Sequence, residues 1–357
     1  MKNKVFEVIN NIYIFLYRLI NGAVYFIFSL QRSKYSQTIS ITEKKEIKAY
    51  WSKYKRIKWF VNEFRWFKSK GIYNVKMIPE SIWHSDVEPH FNNVFLEKAF
   101  QDKNYYELLI GKNNCPATLI RCINGQLLDS NFLPVNDVKA VDLIKQESEV
   151  IVKPSIESGG GKSILFLDNT ITVADFNDLF LRYKNNFLIQ KILIQHPFLS
   201  IFNSSSLNTM RLITFLYKGE VRQVYGELRF GSSGSRLDNS ASGGSWIILD
   251  KNGWLDSKAL KFDKSKKDII VDHDFKFPCL LPSRIPNWDS VVGLIKTNHY
   301  KLSHFGIVYW DVALSDDGNP IIVEYNLLDS DAYAYQFAIG PFFGDITDEV
   351  LDEVYGR

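Results

Sequence analysis

Three oxygen-bearing side chains near the end of the chain could hold a cation together. Asp311, Glu324 and Asn326 interrupt two apolar, β-branched runs that flank Asp316-Asp317-Gly318-Asn319-Pro320. That linker is strong turn chemistry, so residues 305–326 are predicted to form a β-hairpin. Glu324 and Asn326 stand two apart on the second strand and share one face, and hairpin pairing brings Asp311 beside them. Two carboxylates and an amide oxygen are hard ligands of the kind Mg²⁺ takes when water and phosphate fill its other positions. A polar, solvated sheet face accounts for any one of the three, but less well for all three interrupting apolar strands together.

A second group could handle phosphate. Glu149–Pro154 reads as a buried strand ending in Lys153-Pro154, and Ile164–Leu167 reads as another. Between them lies Ser158-Gly159-Gly160-Gly161-Lys162-Ser163. Gly161-Lys162-Ser163 suggests a P-loop, but the first glycine of that motif is replaced by Ile156 and the loop feeds a strand rather than a helix. It is therefore a glycine-rich hairpin loop, whose backbone N–H groups could wrap phosphate oxygens, or a flexible tip. The strand containing Gln190-Lys191-Ile192 leads into an exposed segment that could present backbone groups to a flat base. Arg211 opens one strand, Arg229 ends the next, and a Gly/Ser-rich loop at 231–244 carries Arg236, Asp238, Asn239, Gly243 and Gly244. Such a loop is a lid or is disordered. Guanidinium groups beside a metal–phosphate site would stabilise phosphoryl charge. His196, His273, His299 and His304 show no metal-ligand spacing.

The elements that must position these residues fit a chain of 357 residues that is 46% hydrophobic and 15% aromatic, which excludes global disorder. Three cysteines without metal spacing read as free thiols in a reducing compartment, and no secretory cleavage site follows the apolar N-terminus. Residues 1–70 hold 15 Lys/Arg against 4 Asp/Glu, a basic end on an acidic body, which points to an anionic surface as partner. Residues 5–30 read as an amphipathic helix with Glu7, Asn10, Asn11, Arg18, Asn21, Ser29 and Arg32 on one face. Arg18 and Asn21 argue against a spanning helix; it lies in a membrane interface or packs on the body. Residues 42–70, with Thr42 as N-cap, mix basic residues with Trp51, Trp66 and other aromatics. We read the aromatics as a packing face and see no nucleic-acid motif. A boundary falls near 90–96. Downstream we expect a hairpin at 250–253, a charged loop at 261–276 and a helix over 287–303.

Lys103, Lys153-Pro154 with its glycine loop, the Gln190 strand, Asn208-Thr209-Met210-Arg211, and Asp311 with Glu324-Tyr325-Asn326 occur in the order found in ATP-grasp proteins. Residues 95–345 resemble the sugar-transfer-associated ATP-grasp group. The resemblance implies an α+β ATP-grasp fold: an N-terminal helical region (1–94) and two subdomains (95–190 and 191–357) with antiparallel sheets gripping ATP. It implies that Lys103, Lys153 and the Ser158–Ser163 loop contact phosphates, that backbone at Gln190, Lys191 and Ile192 meets adenine, and that Asp311, Glu324 and Asn326 hold two Mg²⁺. Arg229, Asn239 and Gly243-Gly244 resemble a pattern of carboxylate–amine ligases in the superfamily. Gln195 stands where many members carry a ribose-binding Glu, and Leu327-Leu328-Asp329-Ser330-Asp331 replaces the common Pro-Gly. The implied activity is ADP-forming ligation of a carboxylate to an amine through an acyl phosphate, in surface polysaccharide assembly. Lys153, Arg211 and Arg229 would stabilise its charges. The expected location is the cytoplasm, with the basic end able to sit on the membrane's inner face. The alternatives are a kinase and a non-catalytic ATP-binding membrane scaffold.

Overall fold

The structure, a computed structural model, describes residues 2–32, 37–54, 59–156, 163–232, 234–236, 243–265 and 268–356. It opens with α1 (Lys2–Arg32), α2 (Ile41–Trp51) and α3 (Phe64–Ser69). The N-cap of α2 is Ser40 rather than Thr42. Ser40 and Glu43 form a reciprocal capping box, with Ser40 N–H donating to Glu43 Oε2 at 2.6 Å and Glu43 N–H to Ser40 Oγ at 3.2 Å. Next comes one continuous helical rod: α4 (Glu80–Ile82), a π-turn over Trp83–Val87, and α5 (Glu88–Phe91). Two short helices, α6 (Glu97–Phe100) and α7 (Tyr106–Ile110), lead into the first sheet.

That sheet comprises β1 (Thr118–Ile123), β2 (Gln126–Asp129), β3 (Glu149–Pro154), β4 (Leu165–Asp168) and β5 (Phe187–Lys191) in the order β2-β1-β5-β3-β4, all neighbours antiparallel. Helices α8 (Asp137–Ile144) and α9 (Val173–Tyr183) cover one face, burying Val141, Ile144, Phe176 and Leu179 against Ile120, Val150, Val152 and Ile189. The opposite face is left to line a cleft.

After α10 (Pro197–Ser200) comes the larger sheet: β6 (Thr209–Tyr217), β7 (Glu220–Phe230), β8 (Ser245–Leu249), β9 (Leu255–Asp263), β10 (Asp268–Val271), β11 (Ile307–Leu314) and β12 (Pro320–Asn326). Its order is β10-β9-β8-β7-β6-β11-β12, again antiparallel throughout. The stretch expected as a charged loop at 261–276 contains β10. Its acidic start is held by Lys70 Nζ, 2.6 Å from Asp268 Oδ2, and by Trp66 Nε1, 2.8 Å from Asp268 Oδ1, so charge does not break the strand. Helix α11 (Trp288–His299) packs Val291 and Ile295 on Leu212, Trp310 and Val312, on one side of this sheet.

The other side is shared by α12 (Tyr333–Ile339), α13 (Thr347–Val354) and the N-terminal helices. Ile47, Trp51, Phe64 and Trp83 lie in one core with Phe215, Tyr309 and Phe343. The N-terminal region therefore has no core of its own; its aromatics are packing residues, as the interleaved pattern suggested.

Candidate functional site

A cleft of about 950 Å³ separates the two sheets, a volume suited to a nucleotide-sized ligand. Lys103, Lys153, Arg211, Arg229, Asp311, Glu324 and Asn326 all line it, although they come from seven positions spread over more than 200 residues. The hairpin delivers the last three. Asp311 on β11 is directly opposite Glu324 on β12, and Tyr309 is opposite Asn326, with a bulge after Asp311. A bulge of this kind re-aims the side chains beside it.

Asp311 is buried. Only 6% exposed, it accepts from Arg211 Nε at 2.5 Å and Nη2 at 3.0 Å, and Arg229 Nη2 lies 2.9 Å away. The sheet register creates this triad, since Asp311 pairs with Arg211 on β6 and Arg229 follows on β7 opposite Thr209. Burial alone would raise the Asp311 carboxyl, but the Arg211 and Arg229 charges outweigh it and hold it below the usual carboxylate range. The same carboxylate keeps Arg211 cationic although burial opposes it. Tyr335 Oη accepts from Arg211 Nη1 at 3.3 Å.

Lys103 sits in a short turn at the mouth between the sheets. Its N–H donates to Ser155 O at 2.9 Å, which ties it to the segment after Lys153. Tyr106, three residues on, stacks on Tyr325 with ring centres 4.3 Å apart and donates to the Tyr325 carbonyl at 3.2 Å, fixing the turn on β12. Beneath it the buried Arg121 guanidinium donates to Asn104 O at 2.6 Å and pairs with Glu107. Lys103 Nζ then reaches Glu324 Oε1 at 3.0 Å. Lys153 is buried at the end of β3.

Beyond β5 the cleft wall is formed by backbone. Lys191 N–H donates to Ala117 O at 2.9 Å, while Ile192 and the two residues after it run along the cleft without strand pairing. The Gln190 side chain is turned away to Pro116 O and Thr118 Oγ1. The Lys191 side chain pairs with Glu147 at 2.5 Å. Gln195 is engaged structurally: its amide donates to Ser206 O at 2.6 Å and accepts from Asn208 N–H at 3.0 Å, so it folds the 203–208 loop. Ser163 lies at the start of the described residues after the glycine loop, with φ +62° and its carbonyl accepting from Tyr183 Oη at 2.7 Å. Ser158, Gly159, Gly160, Gly161, Lys162 and Asn239 lie outside the described residues.

Glu227, Glu80, His84 and Glu88 were not picked from sequence, and the contacts of Arg236 were not foreseen. Glu227, buried beside the triad, accepts from Tyr225 Oη at 2.6 Å, and burial raises its carboxyl despite Arg229 and Arg211. Arg236 crosses from the larger sheet's loop to the smaller sheet: it lies 3.4 Å over the Phe166 ring and donates to Glu149 at 2.8 and 2.5 Å. Glu80, His84 and Glu88 are buried at i, i+4, i+8 on the helical rod, a spacing that would have revealed them. Their carboxylates accept the backbone N–H groups of Asp329, Ser330, Ala332 and Tyr333, the loop that follows Asn326 along the cleft.

Residues 84–343 match the family described as "Sugar-transfer associated ATP-grasp". The chain belongs to that family. This ATP-grasp chain also resembles solved structures at the level of fold. One is D-cycloserine synthetase DcsG, with 11% identity over 70% of each chain and a TM-score of 0.42. Another is D-alanyl-alanine synthetase A from Vibrio cholerae, with 10% identity over 73% of this chain and 67% of that one, and a TM-score of 0.41. A third is an L-amino acid ligase from Bacillus licheniformis, with 11% identity over 70% of this chain and a TM-score of 0.38; the ATP-grasp chain spans 47% of that ligase. No curated protein matches the sequence.

Whether the donor set suits a hard cation can be judged from its contacts. Glu324 and Asn326 fit: both are oxygen donors on one face of β12 at the cleft wall, and Lys103 stands beside Glu324 as a counter-charge. Asp311 fits by position, but its two oxygens are held by guanidinium groups and reach a cation only if an arginine gives way.

Proposed function

We propose that this ATP-grasp chain is an ADP-forming carboxylate–amine ligase. The observation that carries the reading is the convergence in one cleft of four cationic side chains, Lys103, Lys153, Arg211 and Arg229, with Asp311, Glu324 and Asn326. Backbone at 190–192 supplies the edge for adenine. Lys103, Lys153 and the Ser158–Ser163 loop take the phosphates, and Asn239 completes the ligase pattern with Arg229. Glu324 and Asn326, with Asp311, would hold Mg²⁺, two ions in the full reading, and the metal would supply charge neutralisation across the β- and γ-phosphates.

The substrate carboxylate attacks the γ-phosphorus, the bridging P–O bond to the β-phosphate breaks, and ADP leaves. Lys153 and Arg229 offset charge as it develops, and Arg211 orients the acyl phosphate. The amine nitrogen then attacks the acyl carbon, the C–O bond to phosphate breaks, and a proton from the amine goes to solvent. Chemistry of this kind is positioning and electrostatics, so no nucleophile triad is needed. The family's association with sugar transfer supports a substrate from surface polysaccharide assembly, and dependence on ATP suits the cytoplasm.

The deciding experiment withholds the amine and adds hydroxylamine with a pool of uronic acids and N-acetylated amino acids. A ligase yields ADP and a hydroxamate. A stable phosphoester with no hydroxamate would replace the reading with a kinase, and absence of ADP with any acceptor would leave a nucleotide-binding scaffold.

A further inference from the structure

Helix α1 is inverted relative to an ordinary surface helix. Its inward stripe is narrow and largely polar or small: Tyr17, Arg18, Asn21, Gly22, Tyr25 and Ser29 recur at helical spacing on the less exposed side. Gly22 allows close approach there, since a Cβ would stand 3.1 Å from Ser85 Cβ. Tyr25 stacks on His84 with ring centres 3.4 Å apart and planes 13° from parallel. The opposite face is apolar and bare: Ile9, Ile12, Phe15, Leu19, Ile20 and Ile27 are each 53–65% exposed. The stretch Val8–Gln31 is long and apolar enough to cross a membrane, yet 11% of it is buried. Arg18, its one charged residue, is on the inward side. An uncharged apolar strip of this length exceeds what a monomer leaves to water.

We propose that this face of α1 lies on an anionic lipid bilayer, and that α1, through Tyr25 and His84, braces the cleft loop 329–333. The occupant follows from charge. In the sequence Lys2 and Lys4 precede this stretch and Arg32 and Lys34 follow it, and residues 1–70 carry 15 basic against 4 acidic residues. Anionic headgroups complement that excess, whereas a second copy packed face to face would oppose it with itself. The brace follows from contacts. His84 ring nitrogens lie 3.2 Å from Glu80 and 3.0 Å from Glu88. Those two carboxylates accept from four loop amides, those of Asp329, Ser330, Ala332 and Tyr333, and Trp83 Nε1 donates to Ser330 O at 3.1 Å. The loop thus stands about one helix diameter, ~10 Å, from the lipid-facing side. The brace matters to the ligase reading because loop 329–333 lines its cleft, but docking does not depend on that reading.

The test uses the full chain with vesicles of phosphatidylcholine, with and without phosphatidylglycerol. The intact protein should float only with phosphatidylglycerol, and Phe15→Glu with Leu19→Glu should lower the bound fraction about tenfold or more. Both substituted side chains are solvent-exposed, so ATP binding measured by calorimetry should persist. Hydrogen exchange at 329–333 should slow when anionic vesicles are added, and Tyr25→Ala should abolish that slowing while flotation persists. Failure to float, or retention after alkaline carbonate as for a spanning helix, overturns the docking. Flotation without any change at 329–333 overturns the brace. Loss of ATP binding in the intact protein would instead count against the ligase reading.

Discussion

Lys103 Nζ lies 3.0 Å from Glu324 Oε1, joining the turn that precedes the small sheet to the last strand of the large one. Each holds the other's charge where, under the ligase reading, Lys103 meets phosphate and Glu324 meets a cation. Lys103→Ala should therefore weaken ATP binding by roughly 10–100-fold, the size of a lost hydrogen bond to a charged group. Glu324→Gln should leave metal-free nucleotide affinity within about threefold and remove its enhancement by Mg²⁺. Titration calorimetry with and without Mg²⁺ reads both. Equal affinity in wild type and Lys103→Ala would take the lysine out of the site.

Asp311 and Asn326 should separate in stability although they share the cleft. Asp311→Asn leaves Arg211 and Arg229 facing a neutral amide in a buried position, which costs about 3–5 kcal/mol. Asn326→Ala, at a half-buried position on the cleft wall, should stay within about 1 kcal/mol of wild type. Urea denaturation checks the difference. Comparable midpoints for the two variants would show that the triad contributes little to the fold.

The hairpin was legible because Asp316–Pro320 is turn chemistry between apolar runs, and alternation put Glu324 and Asn326 on one face. The Lys153 strand and its return strand were legible for the same reason. The arginine triad was not: Arg211 and Asp311 are 100 positions apart, and only the β6–β11 register brings them together. Burial of Asp311 follows from that pairing, which no local spacing in the sequence reveals. For α1 the sequence indicated an amphipathic helix and left its partner open, because a helix does not announce which face its neighbours take. Arg18 and Asn21 argued against spanning, and both lie on the inward side. Strand β10 was hidden because its flanking charges are matched by Lys70 and Trp66 from a distant helix.

Arg236 should affect closure more than stability. It bridges the sheets by stacking on Phe166 of β4 and pairing with Glu149, the first residue of the strand that carries Lys153. Arg236 is 45% and Glu149 37% exposed, so the pair is worth at most about 1 kcal/mol and is screened by salt. Arg236→Ala should leave the melting midpoint nearly unchanged and raise KM for ATP by up to about fivefold, with kcat little altered. The wild-type KM should drift toward the variant's as ionic strength rises. An unchanged KM in the variant would mean that the bridge is a surface contact without a role in closing the cleft.

His84 gives a dependence on pH whose sign is fixed by its neighbours. Burial would lower the imidazole, but Glu88 and Glu80 outweigh it and push it up to about 10. Both ring nitrogens face carboxylate oxygens, and an imidazolium satisfies two ionised carboxylates by donating from each side. Tyr25 of α1 covers the ring, and Asp329 and Asp331 on the loop add further negative charge nearby, so the elements packed here favour the cation. The folded value lies above the ordinary histidine range near 6.5, so the stabilisation is fully present below pH about 6.5 and is lost as pH rises toward about 10. Wild-type melting temperature should fall between pH 7 and pH 10, with exchange at 329–333 accelerating over the same range. His84→Gln should be less stable at neutral pH and nearly flat over that window. Parallel pH profiles for the two proteins would show that His84 is neutral in the fold, and that Glu80 and Glu88 hold the loop without it.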